Sequence, residues 1–156
     1  MKNKSFIKSV IHAVSGFWQA VRSERNLRID IVIALLTAIF AYAYGLEPIG
    51  WAVLVLAVCA VFSAELVNTA LERLSDAVTE EYNEKIKAAK DIAAAAVILT
   101  ACGAVLVGLA LFAADFDQLI MAVLNIVFSK RALAAIGAVV ILGIAFILFC
   151  KESKKS

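Results

Sequence analysis

Four apolar stretches govern what this chain can fold into, at about residues 29–46, 49–64, 91–112 and 132–150. Each approaches the ~20 residues that carry a helix across the ~30 Å hydrocarbon core of a bilayer. A chain of 156 residues cannot bury so much apolar surface in a core of its own. Here 63% of the residues are hydrophobic, where a soluble domain is nearer half. Lipid is the natural solvent for such a chain, and a helix in lipid satisfies its own backbone groups. The expected fold is an all-α, polytopic membrane helix bundle. The net charge of +2, without a basic tract interleaved with aromatics, argues against a nucleic-acid binder.

Residues 3–22 read as an amphipathic helix. Phe6, Ile7, Val10, Ile11, Val14, Phe17, Trp18 and Val21 share one face; Lys4, Lys8, His12, Ser15, Gln19 and Arg22 share the other. The segment is too polar to span and is expected to lie along the membrane surface. The first span covers about 29–46 and closes at Glu47-Pro48. The second begins near Ile49 and continues as helix to about Val78, beyond the hydrocarbon. A polar connection at 79–90 leads to a third span at about 91–112. The segment 115–131 holds an apolar run too short to cross, so it reads as an interfacial helix or a turn. A fourth span is expected at about 132–150. Ala41-Tyr42-Ala43 resembles a signal-cleavage site, but the sequence before it contains Glu24 and Asp30, unlike a short basic leader, so the N-terminus is expected to be retained.

Basic residues gather in the N-terminal region, after the second span at Lys85, Lys87 and Lys90, and in the tail at Lys151, Lys154 and Lys155. The positive-inside rule then gives four spans with both termini in the cytoplasm. Without a low-complexity tract or internal repeat to divide the chain, residues 1–113 are treated as one functional unit and 114–156 as a C-terminal extension.

The second span carries an unusual burden. Glu65, Asn68, Glu72 and Asp76 follow one another at spacings of three, four and four, which stacks them on one helical face. Carboxylates beside a membrane core are costly and are kept mainly where they bind or react. Phosphoryl transfer at a membrane surface needs such groups. A divalent cation is held by carboxylates, phosphates and water, the acceptor hydroxyl needs a base, and positive charge must meet the phosphates. The acidic face could supply the first two. Lys90, opening the next span, could supply the third, and Glu24 is a second acid at the same level. The sequence contains neither a P-loop nor a kinase-type Gly-rich loop, so a nucleotide site must be built from helix ends and carboxylates.

Blander readings stand beside these. The stripe could be a polar contact between helices, Asp76 a solvated helix end, Lys90 a positive-inside anchor and Asp91 a helix-start acid. Arg25 and Arg28 read as headgroup-facing anchors, His12 as an interfacial polar residue, and Trp18 and Trp51 as interfacial aromatics. Asp30 reads as facing headgroups or water. Cys59, Cys102 and Cys150 each lie in an apolar run without a pairing motif and read as small packing residues.

The run from Glu65 to Val97 resembles the signature of the small prokaryotic diacylglycerol kinase and undecaprenol kinase family, roughly ExxNxAxExxxD, then EY, then AKDxxxxAV. The matching residues are Glu65, Asn68, Ala70, Glu72 and Asp76, then Glu81-Tyr82, then Ala89-Lys90-Asp91 and Ala96-Val97. Upstream, Gly16 to Asp30 is similar to the family's surface helix and its Glu-Arg-Asn, here Glu24-Arg25-Asn26. The resemblance covers about residues 5–113. It implies an integral membrane lipid kinase, using ATP and Mg²⁺ to phosphorylate the primary hydroxyl of undecaprenol or diacylglycerol in the bacterial cell membrane. It implies Glu65 as general base, Asn68 in the catalytic centre, and Glu24 and Glu72 as carboxylates holding the nucleotide's metal. It also implies nucleotide contacts from Asp76, Lys90 and Asp91, and a homotrimer with active sites shared between neighbours. Asn83 departs from the family pattern, where many relatives have His, and the fourth span exceeds the three-span plan. The competing expectation is a non-enzymatic membrane scaffold that uses the fourth span as a partner surface. A lipid phosphatase is disfavoured because no His or Cys nucleophile lies near the stripe.

Overall fold

A computed structural model describes residues 2–78 and 81–149. The expectations for Cys150, Lys151, Lys154 and Lys155 fall outside them, as do residues 79 and 80 of the polar connection. The described residues form six helices and no strand: α1 (Lys2–Ser23), α2 (Arg25–Tyr44), α3 (Pro48–Val78), α4 (Glu84–Phe112), α5 (Phe116–Phe128) and α6 (Lys130–Phe149). Four of them, α2, α3, α4 and α6, are long and apolar enough to cross a membrane.

The boundaries follow from local chemistry. The φ of Gly45 is +75°, which a side chain would oppose. Gly45 N–H donates to the Tyr42 carbonyl and Leu46 N–H to that of Ala41, so the last carbonyls of α2 are satisfied and the chain turns. Pro48 then opens α3, where its missing N–H costs nothing. Two starts lie earlier in the chain than hydropathy predicts. The first span begins at Arg25, because the polar turn 25–28 is already helical. The third begins at Glu84, because the Asn83 carboxamide accepts from the N–H groups of Lys85 and Ile86 and caps the helix. Asp91 therefore lies well inside α4, and its reading as a helix-start acid is overturned. Lys90 likewise does not open the span. The short apolar segment is a helix, α5, whose first turn is capped by Asp115 accepting from Gln118 N–H.

Packing is concentrated where α1 turns into α2. Ala20, Val21 and Leu27 are buried there against Phe17, Ile31, Phe62, Leu66 and Phe146. The rest of the α1 apolar face, including Phe6, Ile7, Val10, Val14 and Trp18, remains exposed, as a helix lying on a bilayer requires. α3 packs most extensively on α4, whose outer face is apolar and exposed along its length. The extension docks on α2 through both α5 and α6. At Gly143 of α6, an added Cβ would come within 2.9 Å of both Val32 methyl groups, so the two helices meet on a small residue. Cys59 and Cys102 are free thiols on exposed helix faces, which corrects their reading as packing residues.

Candidate functional site

α3 has 31 residues and rises about 46 Å, so it outruns a ~30 Å hydrocarbon core by roughly ten residues. That excess is the segment bearing the acidic stripe. Glu65 is 5% exposed and Thr69, one turn on, is 4% exposed; Asn68 and Glu72 are half-buried and Asp76 is exposed. Burial thus grades along the face, from a carboxylate enclosed by helices to one in the open.

The α1–α2 elbow brings further acids to the same place. Glu24 precedes α2 in an extended conformation and makes no capping bond with its carboxylate. That carboxylate instead accepts from the Ser23 hydroxyl at 2.8 Å. Ser23 in turn accepts from Arg73 of α3, whose guanidinium also reaches the Gln19 carbonyl at 3.4 Å. Three helices are thereby tied together at Glu24. Asp30, Glu24 and Glu72 all act electrostatically on Glu65. Among the described residues none of Glu24, Glu65 and Glu72 has a Lys or Arg in ion-pair contact. Like charges gathered in this way repel unless a cation joins them.

Asn68 shows the same incompleteness. Its amide Nδ2 donates to Glu72 Oε1 at 2.9 Å, which aligns the two side chains. Its Oδ1 is buried with no donor, as is the Thr69 hydroxyl. Buried polar atoms rarely stay unpaired, and each costs about 1–3 kcal/mol when they do. The set suits a bound hydroxyl or cation. It is not a ready-made metal cage, since no three Asp, Glu, His or Cys side chains among the described residues converge on one point. A Mg²⁺ ion that keeps water and phosphate oxygens in its shell needs only one or two carboxylates, a part that Glu24 or Glu72 could take.

The remaining candidates form a separate, more exposed group. Lys90 Nζ lies 3.0 Å from Asp76 Oδ1, tying α4 to the end of α3. Asp91 is exposed, and no contact joins it to the stripe among the described residues. Arg28 corrects its reading as a headgroup anchor. It is 6% exposed, and its Nη1 donates to the carbonyls of Val21 at 3.0 Å and Arg22 at 2.9 Å. It therefore caps the last turn of α1 from the neighbouring helix and fixes the elbow that carries Glu24. Asp30 is half-buried and lines an apolar groove between α2, α3 and α4, so it does not simply face water. Sequence reasoning missed Arg28, Arg73, Ser23 and Thr69. The only signal for Thr69 was its place beside Asn68 on the stripe.

The family model for prokaryotic diacylglycerol kinase matches residues 11–112. An undecaprenol kinase of Bacillus subtilis is 37% identical over 107 residues, covering 69% of this chain and 87% of that protein. A diacylglycerol kinase of Synechocystis is 41% identical over 105 residues, covering 67% of this chain and 60% of that protein. A diacylglycerol kinase of Escherichia coli is 29% identical over 108 residues, covering 67% and 88% respectively. No solved structure matches the chain at a significant level.

Proposed function

The chain belongs to the prokaryotic diacylglycerol kinase family, and we propose that it is a membrane lipid kinase moving the γ-phosphate of ATP to the primary hydroxyl of undecaprenol or diacylglycerol. The observation that carries this is the buried Glu65 where α3 leaves the apolar layer, one turn before the buried, unpartnered Asn68 Oδ1 and Thr69 hydroxyl and within electrostatic reach of Asp30, Glu24 and Glu72. In the reaction a bond forms between the lipid oxygen and the γ-phosphorus while the bridging bond to the β-phosphate breaks, and ADP departs. Glu65 takes or orients the proton of the lipid hydroxyl. The unpartnered Oδ1 of Asn68 is available to position that hydroxyl. Glu24 and Glu72 would hold the Mg²⁺ accompanying ATP through their carboxylate oxygens, the first oriented by the Ser23 hydroxyl and the second by the Asn68 amide. When bound, Mg²⁺ offsets the negative charge on the phosphates. Lys90, Asp76 and Asp91 serve the nucleotide, with Lys90 leaving Asp76 for phosphate.

Residues 1–113 form the kinase unit and 114–156 the extension. The basic residues support an orientation with both termini and the carboxylates on the cytoplasmic side, where ATP is found. The protein resides in the bacterial cell membrane as a homotrimer. The exposed apolar faces of α3 and α4 are compatible with partner protomers as well as lipid.

The test is incubation of purified protein in lipid micelles with labelled ATP, Mg²⁺ and each candidate lipid. A labelled phospholipid that depends on protein, Mg²⁺ and Glu65 is expected. Its absence with every acceptor would leave the scaffold alternative.

A further inference from the structure

Glu24 alone separates α1, which ends at Ser23, from α2, which begins at Arg25. Its backbone is extended, with φ −94° and ψ 118°, and its carboxylate accepts from the adjoining Ser23 hydroxyl. The angle between the two helices therefore decides where that carboxylate stands. Most of α1 cannot set the angle, because its apolar face, including Phe6, Val10 and Val14, is exposed. Control falls to the elbow itself. Two of its fastenings are polar: Arg28 donates to the Val21 and Arg22 carbonyls, and Arg73 of α3 donates to Ser23.

The third fastening is apolar. Val21 before the bend and Leu27 after it are both 0% exposed, and they form one buried cluster with Ala20. Phe62 and Leu66 pack on that cluster from α3, and Phe146 packs on it from α6. Leu66 adjoins Glu65, so the cluster links the backbone that bears Glu24 to the backbone that bears Glu65. Phe146 differs from the other contributors in origin: α6 lies beyond residues 11–112, which match the kinase family. Gly143, three residues earlier and on the same face of α6, is buried against Val32. The close approach of the two helices there lets the Phe146 ring reach the elbow.

We propose that the extension serves the kinase site, with Phe146 as a positioning residue: its ring braces the Ala20–Val21–Leu27 cluster and so fixes where Glu24 presents its carboxylate to the cation. The proposal rests on the kinase reading above. A carboxylate that shares a cation with phosphates must arrive from one direction, and a site holds that direction only if the shell around it is packed. Freedom left in the elbow must be given up on binding, which weakens the hold on the cation. Truncating the Phe146 ring leaves a void beside Val21 and Leu27, whose surfaces lose dispersion contacts. Phe146 acts through the elbow and not on the reacting atoms. Its loss therefore falls on cation affinity, while the rate of the filled site is kept.

The test uses the full chain in nanodiscs and follows lipid phosphorylation against Mg²⁺ concentration. Phe146→Ala should raise the concentration for half-maximal rate by about threefold to tenfold, below the ~10–100-fold cost of losing a group bonded directly to a metal ligand. Its rate at saturating Mg²⁺ should stay within about twofold of wild type. Phe146→Leu, which keeps an apolar side chain on the cluster, should restore most of the affinity. Ile144→Ala, on the exposed side of the same helix, should match wild type. A second readout needs neither metal nor turnover. In Mg²⁺-free protein, backbone amides of residues 25–31 should exchange with deuterium about threefold faster or more in Phe146→Ala, while those in the middle of α4 keep their wild-type rates. An unchanged Mg²⁺ dependence overturns the proposal, as does a fall in the saturated rate with half-saturation unmoved, which marks a merely structural role. Equal effects from Ile144→Ala also overturn it. If the wild-type chain phosphorylates no lipid, the kinase reading fails and exchange alone judges the brace: faster exchange confined to the elbow upholds it, and unchanged exchange removes it.

Discussion

The two ends of α2 are built on opposite principles. At the Gly45 end every strand of the local chemistry closes: the turn satisfies the final carbonyls, Gln118 covers the Tyr44 carbonyl, and three aromatic rings meet edge-on. At the Glu24 end closure is incomplete. The buried side-chain atoms without a partner among the described residues are Arg28 Nε, Asn68 Oδ1 and Thr69 Oγ1, and all three belong to that end. Three carboxylates also act on a fourth there, with no Lys or Arg paired to Glu24, Glu65 or Glu72 among the described residues. The difference teaches where to look for chemistry. A satisfied end holds the bundle together, while an end with unpaired polar atoms and carboxylates without a cation is where ligand chemistry is best sought.

This contrast can be broken by substitution, and the largest effect is expected at Glu65. Glu65→Gln keeps the shape of a buried side chain but removes its basicity, and turnover should fall by about 10²–10⁴-fold with helicity by circular dichroism unchanged. Glu72→Gln comes next. It weakens the hold on the metal, so the Mg²⁺ concentration for half-maximal rate should rise about tenfold or more, and an unchanged Mg²⁺ dependence would remove Glu72 from that role. Arg28→Met leaves the Val21 and Arg22 carbonyls without their charged donor. Thermal unfolding should then show a loss of about 2–3 kcal/mol, with a lower rate because the elbow carrying Glu24 loosens. Lys90→Met removes an exposed pair that contributes little stability, so the unfolding temperature should hold while KM for ATP rises. The smallest effect on turnover is expected where α6 meets α2. Gly143→Leu would push α6 off Val32, costing about 1–3 kcal/mol of stability while lipid phosphorylation continues.

Much of this was legible in the residues themselves. Four apolar runs gave four span-length helices, and a spacing of three, four and four put Glu65, Asn68, Glu72 and Asp76 on one face because a helix allows nothing else. Helix starts were less legible, since hydropathy registers only the lipid-facing part of a helix. It passed over the polar first turn of α2 and the cap at Asn83. Arg28 was misread for a different reason. Its partners lie six and seven residues back across a bend, and no periodicity reports a side chain that folds back onto the helix before it. The Arg73–Ser23–Glu24 link joins residues fifty apart, so only the folded chain reveals it.

The most direct measurement is transfer of labelled phosphate from ATP to lipid by the purified protein, wild type beside Glu65→Gln, in the same micelles with Mg²⁺. Wild-type protein should yield a labelled phospholipid, and the variant, equally folded, should yield almost none. Equal product from both would contradict the role of the buried carboxylate on which the site is built.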